Sequence, residues 1–301
     1  RKLAPGTMLT VNSKGELKHR RYWSLRAQRP AEPRTEGEWT EPIHESLRQA
    51  VRKRIEIADV KVGVLLSGGL DSSLLVALLA EQGVPDLMTF SIGFEDQPEE
   101  RGNEFEYSDP VAAMYGTEHH EFPLSADTAL KMLPEIVPGL DEPLGDTSII
   151  PTYCLSQFTK EHVKVALGGD GGDELFAGYD PFRALGMAKW YDRLVPGAVH
   201  QAIRMLVAAL PSTHQNMSLD FRLKRTLRGL SYPRRLWNAV WLGPLDPRDL
   251  EALFREPTDI EEVYAEAIEQ WEACKQVNLV DKTLQFYTKL YLQDDILVKA
   301  D

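Results

Sequence analysis

The sequence predicts an α/β fold, a doubly wound and mostly parallel sheet with a helical C-terminal part. Three observations carry this. Short apolar runs at 60–66, 87–92, 118–122 and 163–167 alternate with helix-like stretches at 72–82, 105–115, 125–136 and 147–160, the pattern of strands joined by helical crossovers. Two of the apolar runs end in glycine-rich turns, Ser67-Gly68-Gly69 and Gly168-Gly169-Asp170-Gly171-Gly172-Asp173. After Tyr179 strand signals fade, and 182–300 reads as helices broken near Pro196, Pro211, Pro233, Gly243-Pro244 and Pro257.

The elements follow in order. Residues 7–11 and 16–23 read as two strands joined by Asn12-Ser13-Lys14-Gly15, a hairpin turn. Residues 24–38, with Pro30, Pro33 and Gly37, read as a linker. Ile43, Leu47, Ala50 and Val51 give helical spacing to 39–54. The run 60–66 is a buried strand, and Leu74 to Ala80 continues beyond the Ser-Gly-Gly turn as a helix.

Bulk composition narrows the function classes. The chain has 301 residues, 43% hydrophobic and 27% charged, as in a folded soluble protein. With 34 basic and 46 acidic residues, its net charge of -12 speaks against non-specific binding to nucleic acid or to an anionic membrane. No apolar stretch has the roughly 18 residues of a membrane span. Cys154 and Cys274 form neither a disulfide framework nor a metal cluster; both read as core thiols, and a cytoplasmic location is the default. Trp190, Trp237, Trp241 and Trp271 read as helix packing. The basic patches Arg222 to Arg228 and Arg234-Arg235 read as solvated helix faces. His119 and His120 are adjacent on a strand and point to opposite faces, so they do not jointly chelate an ion and read as packing or surface residues.

The chemistry lies in the glycine turns. Gly68 and Gly69 let backbone N–H groups approach an anion, the helix start adds positive potential, and Ser67, Ser72 and Ser73 supply hydroxyls. Asp71 would repel a phosphate unless a divalent cation lies between them. A Ser-Gly-Gly turn is common by itself; Ser-Gly-Gly-x-Asp-Ser-Ser after a buried strand is far more specific. It is neither a Walker A loop nor a dinucleotide fingerprint. It resembles the pyrophosphate loop of the ATP pyrophosphatases, which split ATP to AMP and pyrophosphate. The second turn, with Asp170 and Asp173 three apart among four glycines, approaches a ligand closely and suits a cation or a base acting on an amine.

Together these blocks resemble the synthetase domain of the glutamine-dependent asparagine synthetases. The resemblance runs through Thr89 to Phe94, Asp109, Gly116 to His120, Asp141 to Ser148, Pro151 to Tyr153, Gly169 to Tyr179 and Asp294 to Lys299. The stretch 102–109 is also similar to relatives that amidate N-acetylglutaminylglutamine. The resemblance implies ATP and Mg²⁺ as ligands, aspartate and ammonia as substrates, and asparagine made through β-aspartyl-AMP. It implies that Ser67, Gly68, Gly69, Asp71, Ser72 and Ser73 hold pyrophosphate, that Asp71 and Asp173 hold Mg²⁺, and that Leu66, Ile92, Gly168 and Gly169 frame adenine and ribose. It implies Asp170 as the base, where family members often carry Glu, and Lys299 as the cation meeting charge on the α-phosphate. Gly168 stands where many members have Ser.

The family carries an N-terminal glutaminase domain whose nucleophile is an N-terminal Cys. The chain begins at Arg1, so 1–38 is expected to be the tail of that domain plus a linker, and 39–301 a synthetase domain cut short at its C-terminus, with the glutaminase its partner in cis. The oligomeric state stays open, a homodimer among the options. Amidation of another carboxylate, β-lactam closure, or modification of a cell-surface precursor stays open within the same chemistry. A non-catalytic ATP-binding module is the alternative of another class, disfavoured because Asp71, Asp170, Asp173 and Lys299 are all retained. A tRNA-thiolating enzyme would need catalytic cysteines and a basic surface.

Overall fold

The computed structural model describes residues 3–25, 30, 32–95, 104–211, 218–275 and 277–300. The hairpin pairs β1 (Thr7–Val11) with β2 (Leu17–Arg21), antiparallel, in the register Thr7↔Arg21 to Val11↔Leu17. Asn12 sets the turn: its Oδ1 accepts from the N–H groups of Lys14 at 2.9 Å and Glu16 at 3.0 Å, an Asx turn that holds Glu16 out of the second strand. Part of the predicted linker 24–38 lies outside the described residues. Helix α1 (Glu36–Ile57) starts three residues before the predicted Trp39 because Thr35 and Glu38 form a capping box.

The main sheet holds β3 (Val62–Leu65), β4 (Met88–Phe94), β5 (Glu118–Leu124) and β6 (Val165–Leu167), all parallel, in the order β5-β4-β3-β6. Between them run α2 (Leu70–Glu81), α3 (Phe105–Tyr115), α4 (Ala126–Ile136) and α5 (Ile149–Thr159). Side-chain alternation divides the strands between two layers. Val64 and Leu66 are buried with Val51, Val76, Leu79 and Ala112 under α1, α2 and α3. Leu65, Phe90 and Ile92 point the other way, against Leu155 and Phe158 of α5. The fold is thus doubly wound, as predicted, and the strand order reverses between β3 and β6. At such a reversal the loops leaving two neighbouring strands diverge and open a crevice beyond their C-terminal ends. Those are the two glycine turns.

The C-terminal part is helical: α6 (Gly172–Phe176), α7 (Asp180–Leu194), α8 (Gly197–Ala208), α9 (Leu219–Leu230), α10 (Trp237–Leu242), α11 (Pro247–Leu253), α12 (Ile260–Val263), α13 (Ala265–Ala273) and α14 (Leu279–Phe286). From Tyr287 to Ile296 the chain winds as a π-helix, and α15 (Leu297–Ala300) follows. Phe182, Leu185, Trp237, Trp241, Phe286 and Tyr287 form its core.

Two expectations are corrected here. Trp190 is 63% exposed, because α7 turns Phe182, Leu185 and Ala188 inward and Trp190 lies off that stripe. The basic run of α9 is not a solvated face. Arg225 donates to the carbonyls of Trp241 and Leu242, and Arg228 to those of Val240 and Gly243. These guanidinium forks satisfy the carbonyls left open at the end of α10. The remaining cations pair with carboxylates, Arg222 with Asp180 at 3.3 Å and Arg234 with Asp192 at 2.6 Å. Cys154 and Cys274 are buried and unpaired, as expected of core thiols, and burial raises both thiol pKa values. Among the described residues no helix is long and apolar enough to cross a membrane.

Candidate active site

The first turn is tied to itself and to α3. Ser67 N–H points at Ser72 Oγ (3.2 Å), the Ser67 and Ser72 hydroxyls are 3.0 Å apart, and Ser72 donates to the Gly69 carbonyl at 3.3 Å. Gly68 has φ +74° and lies against the Tyr107–Ser108 backbone, where a Cβ would come within 2.6 Å of Ser108 N. Both the backbone angle and the close approach require glycine. Gly69 caps α2 without a side chain, so the first N–H groups of the helix stay open at the crevice.

The second turn presses on the first. A Cβ on Gly169 would lie 2.9 Å from Ser72 N and 3.1 Å from Asp71 Cβ, and one on Gly172 would overlap the Asp71 carboxylate. A Cβ on Gly178 would overlap the Asp173 carboxylate in the same way. Burial raises the Asp71 pKa, and the negative charge of Asp173 raises it further. The two aspartates therefore share one electrostatic environment, although about a hundred residues separate them. Asp170 is exposed at the mouth of the turn, its carboxylate where a side chain on Gly168 would lie; glycine there leaves that carboxylate its space.

Leu66 contributes differently from Asp71. Its side chain is core, its N–H donates to the Phe90 carbonyl at 2.8 Å, and its carbonyl accepts from Ser91 Oγ. Ile92 lies on the opposite layer, packed with Phe90 and Leu155.

Lys299 is held at a second focus. Its side chain is only 7% exposed, and its ammonium donates to Asp146 and to Ser148 Oγ (2.7 Å), with Asp295 at 3.8 Å. Burial opposes the charge of Asp146, but hydrogen bonds from Lys299 and Ser148 outweigh it and hold the carboxyl below its ordinary range. Burial and the adjacent Asp146 raise Asp295. Helix α5 packs on β4 and β5 and carries α15 on its flank. The π-helical turn reaches the glycine crevice through Thr288, which donates to the Glu174 carbonyl at 3.5 Å, and Leu292, which lies against Gly171.

Sequence reasoning placed Asp146, Glu104 and Glu174 only inside stretches that carry the resemblance and gave none of them an individual role. The Asp-x-Ser spacing at 146–148 was the available signal for Asp146, since such a carboxylate bonds the backbone two residues on. Burial pushes the Glu104 carboxyl up to about 6, at the start of the helix that backs Gly68. Glu174 is almost fully buried and accepts from the Tyr179 hydroxyl. Burial, and next that bond, raise the phenol far above its usual range.

Parallel strands, a reversal of strand order and two interlocked glycine turns define a doubly wound α/β domain with both turns at the C-terminal ends of neighbouring strands. The sequence profile described as asparagine synthase matches residues 42–301, and the chain belongs to that family. Asparagine synthetase (glutamine-hydrolyzing) 1 of Bacillus subtilis (strain 168) is 33% identical over 221 residues, 73% of this chain and 33% of that protein. Asparagine synthetase (glutamine-hydrolyzing) 1 of Arabidopsis thaliana is 35% identical over 150 residues, 46% of this chain and 24% of that protein. The chain thus spans about a third or less of the length of these relatives. Among solved structures, an NH3-dependent NAD synthetase from Campylobacter jejuni superposes with a TM-score of 0.33 and 12% identity, covering 79% of this chain and 98% of that one, a likeness too loose to bear on function.

Proposed function

We propose that this chain is the adenylating and amidating part of an asparagine synthetase: aspartate and ATP give β-aspartyl-AMP and pyrophosphate, and ammonia converts the adenylate to asparagine and AMP. In the longer protein the nitrogen comes from glutamine. The observation that carries the reading is the contact of the two glycine turns across the strand reversal, with Asp71 pressed against Gly169 and Gly172.

In the first step a carboxylate oxygen of the substrate bonds the α-phosphorus as the bond to the bridging oxygen of pyrophosphate breaks. The open N–H groups of the first turn of α2, with the hydroxyls of Ser67, Ser72 and Ser73, hold the departing pyrophosphate. In the second step the ammonia nitrogen bonds the activated carbonyl carbon, the bond to AMP breaks, and the proton shed by nitrogen passes to Asp170. Lys299, oriented by Asp146 and Ser148, meets charge on the α-phosphate as a compact cation. The backbone of Leu66, Ile92, Gly168 and Gly169 lines the nucleoside. Most of the rate gain comes from holding both reactants in line and from fixed donors aimed at the developing charge.

The residues present fit Mg²⁺. Asp71 and Asp173 are hard oxygen ligands, and the pKa of Asp71 is raised by burial and by Asp173, a repulsion that a divalent cation relieves. Bound there, the ion would neutralise polyphosphate charge.

The test is an incubation of the full-length protein with ATP, Mg²⁺, aspartate and ammonium, following pyrophosphate and asparagine together. Equal yields, abolished by Asp71→Ala, support the reading. Pyrophosphate released with another carboxylate and not with aspartate overturns the substrate and keeps the adenylation.

A further inference from the structure

Immediately after the Tyr107–Ser108 backbone that presses on Gly68, a different cluster faces the sheet. His119 and Glu121 lie on the same side of β5, the edge strand, and Asp109 faces them from α3. His119 is the register partner of Thr89 on β4. Its Nδ1 is 2.8 Å from Thr89 Oγ1, which in turn is 2.8 Å from Thr117 Oγ1. Thr89 is fully buried. With Nδ1–H donating to Thr89, Nε2 keeps its lone pair, and that atom is shielded from solvent with no hydrogen-bond partner among the described residues. It points to Asp109 Oδ1 at 3.6 Å. One ligand atom from each of Asp109, His119 and Glu121 lies within 4.8 Å of the other two.

We propose that Asp109, His119 and Glu121 form a divalent metal site of the zinc class, separate from the Asp71–Asp173 pair, that staples α3 to the edge of the sheet. One imidazole nitrogen and two carboxylate oxygens are a zinc-type ligand set, with water completing four-coordination; magnesium, a hard ion, prefers oxygen alone. The hydrogen bond to Thr89 is the support that a ligating histidine needs on its other nitrogen, fixing tautomer and ring orientation. Bonds of about 2.0 Å place tetrahedral donors roughly 3.3 Å apart. Rotation of the two exposed carboxylates by roughly 1.5 Å closes the site around Nε2, which stays fixed by Thr89. Burial depresses the imidazole pKa more than Asp109 raises it, so the ring is neutral and free to ligate. Burial first, and the Asp109 carboxyl after it, raise the pKa of Glu121, a crowding that a shared cation relieves. His120 points the other way, stacked on Phe90 at 5.2 Å and against His162 at 4.1 Å, so the two neighbouring histidines do not share an ion, as the strand geometry requires. The proposal does not rest on the nucleotide reading.

The probe is Zn²⁺ alone, titrated into chelator-treated purified protein by calorimetry and by thermal melting in metal buffers. The expected result is one saturable equivalent with a rise in Tm, unchanged by millimolar Mg²⁺ and retained in Asp71→Asn. Outer-shell losses at metal sites cost about 10- to 100-fold in affinity, so Thr89→Val is expected to weaken binding in that range and His119→Ala, Asp109→Asn or Glu121→Gln by more. Asp109 and Glu121 are exposed, so their variants keep the fold and separate binding from folding. Absence of saturable Zn²⁺ binding by the unsubstituted protein, or equal affinity in Asp109→Asn and Glu121→Gln, overturns the proposal.

Discussion

Gly172→Ala separates the chemistry of the crevice from the stability of the fold. A methyl group there would lie 2.7 Å from Asp71 Oδ1 and closer still to Cγ and Oδ2. Ordinary contact begins near 3.4 Å, so the carboxylate must retreat by about 1 Å, the scale on which positioned groups lose about 100-fold in rate. The backbone gains little strain, because Gly172 opens α6 at a helical angle, and alanine recovers up to about 1 kcal/mol of helix propensity. The expected outcome is a fall of about 100-fold in ATP-dependent pyrophosphate release with Tm unchanged within a few degrees. Gly186→Ala in α7, where a Cβ meets nothing within 4 Å, is the control: activity retained and stability raised by about 0.5–1 kcal/mol. Pyrophosphate release by Gly172→Ala equal to that of the parent would refute the argument that the second turn sets the position of Asp71.

Further outcomes follow from the flanking contacts. Asp146→Asn leaves the largely buried Lys299 ammonium without its principal partner. Breaking a buried pair costs about 3–5 kcal/mol, reduced here to about 1–3 because Asp146 keeps some solvent contact. The folded-state pKa of Asp146 is depressed, so its contribution is full above the unfolded value near 3.9 and is lost as pH falls through the folded value. Urea titrations at pH 7 and near pH 3 should show the difference between parent and variant shrinking with acid; a constant difference would contradict the ion-pair account. Arg228→Met strips the donors from the Val240 and Gly243 carbonyls and should cost about 3 kcal/mol in urea unfolding, with Arg228→Lys restoring only part of it because an ammonium cannot fork. A change of less than about 0.5 kcal/mol would return that residue to the solvated face expected from sequence.

Much of the fold was readable because its signals are local. The helix over 105–115 agrees with its sequence expectation to the residue, since Gly116 supplies the left-handed cap that stops it. Helix α1 started early because the Thr35 and Glu38 pair outweighs the apolar spacing that begins later. The basic run of α9 was misread because charge in sequence does not disclose which carbonyls will be left unpaired nearby. Trp190 was misread for the same reason, since an aromatic residue fits either face of a helix until a neighbour covers one.

For the site, composition and spacing determined that two strands end in glycine turns rich in carboxylates and hydroxyls. That information lies in backbone freedom and side-chain type, both properties of short segments. Tertiary structure alone decided that the turns meet at the reversal between β3 and β6, that Gly172 and Gly169 fix Asp71, and that Asp146 reaches Lys299 across 153 positions. It also decided that His119 loses water on one nitrogen while Thr89 engages the other. Strand order, burial and pairing between distant residues depend on how layers pack, and no local pattern encodes which distant group will share a desolvated space.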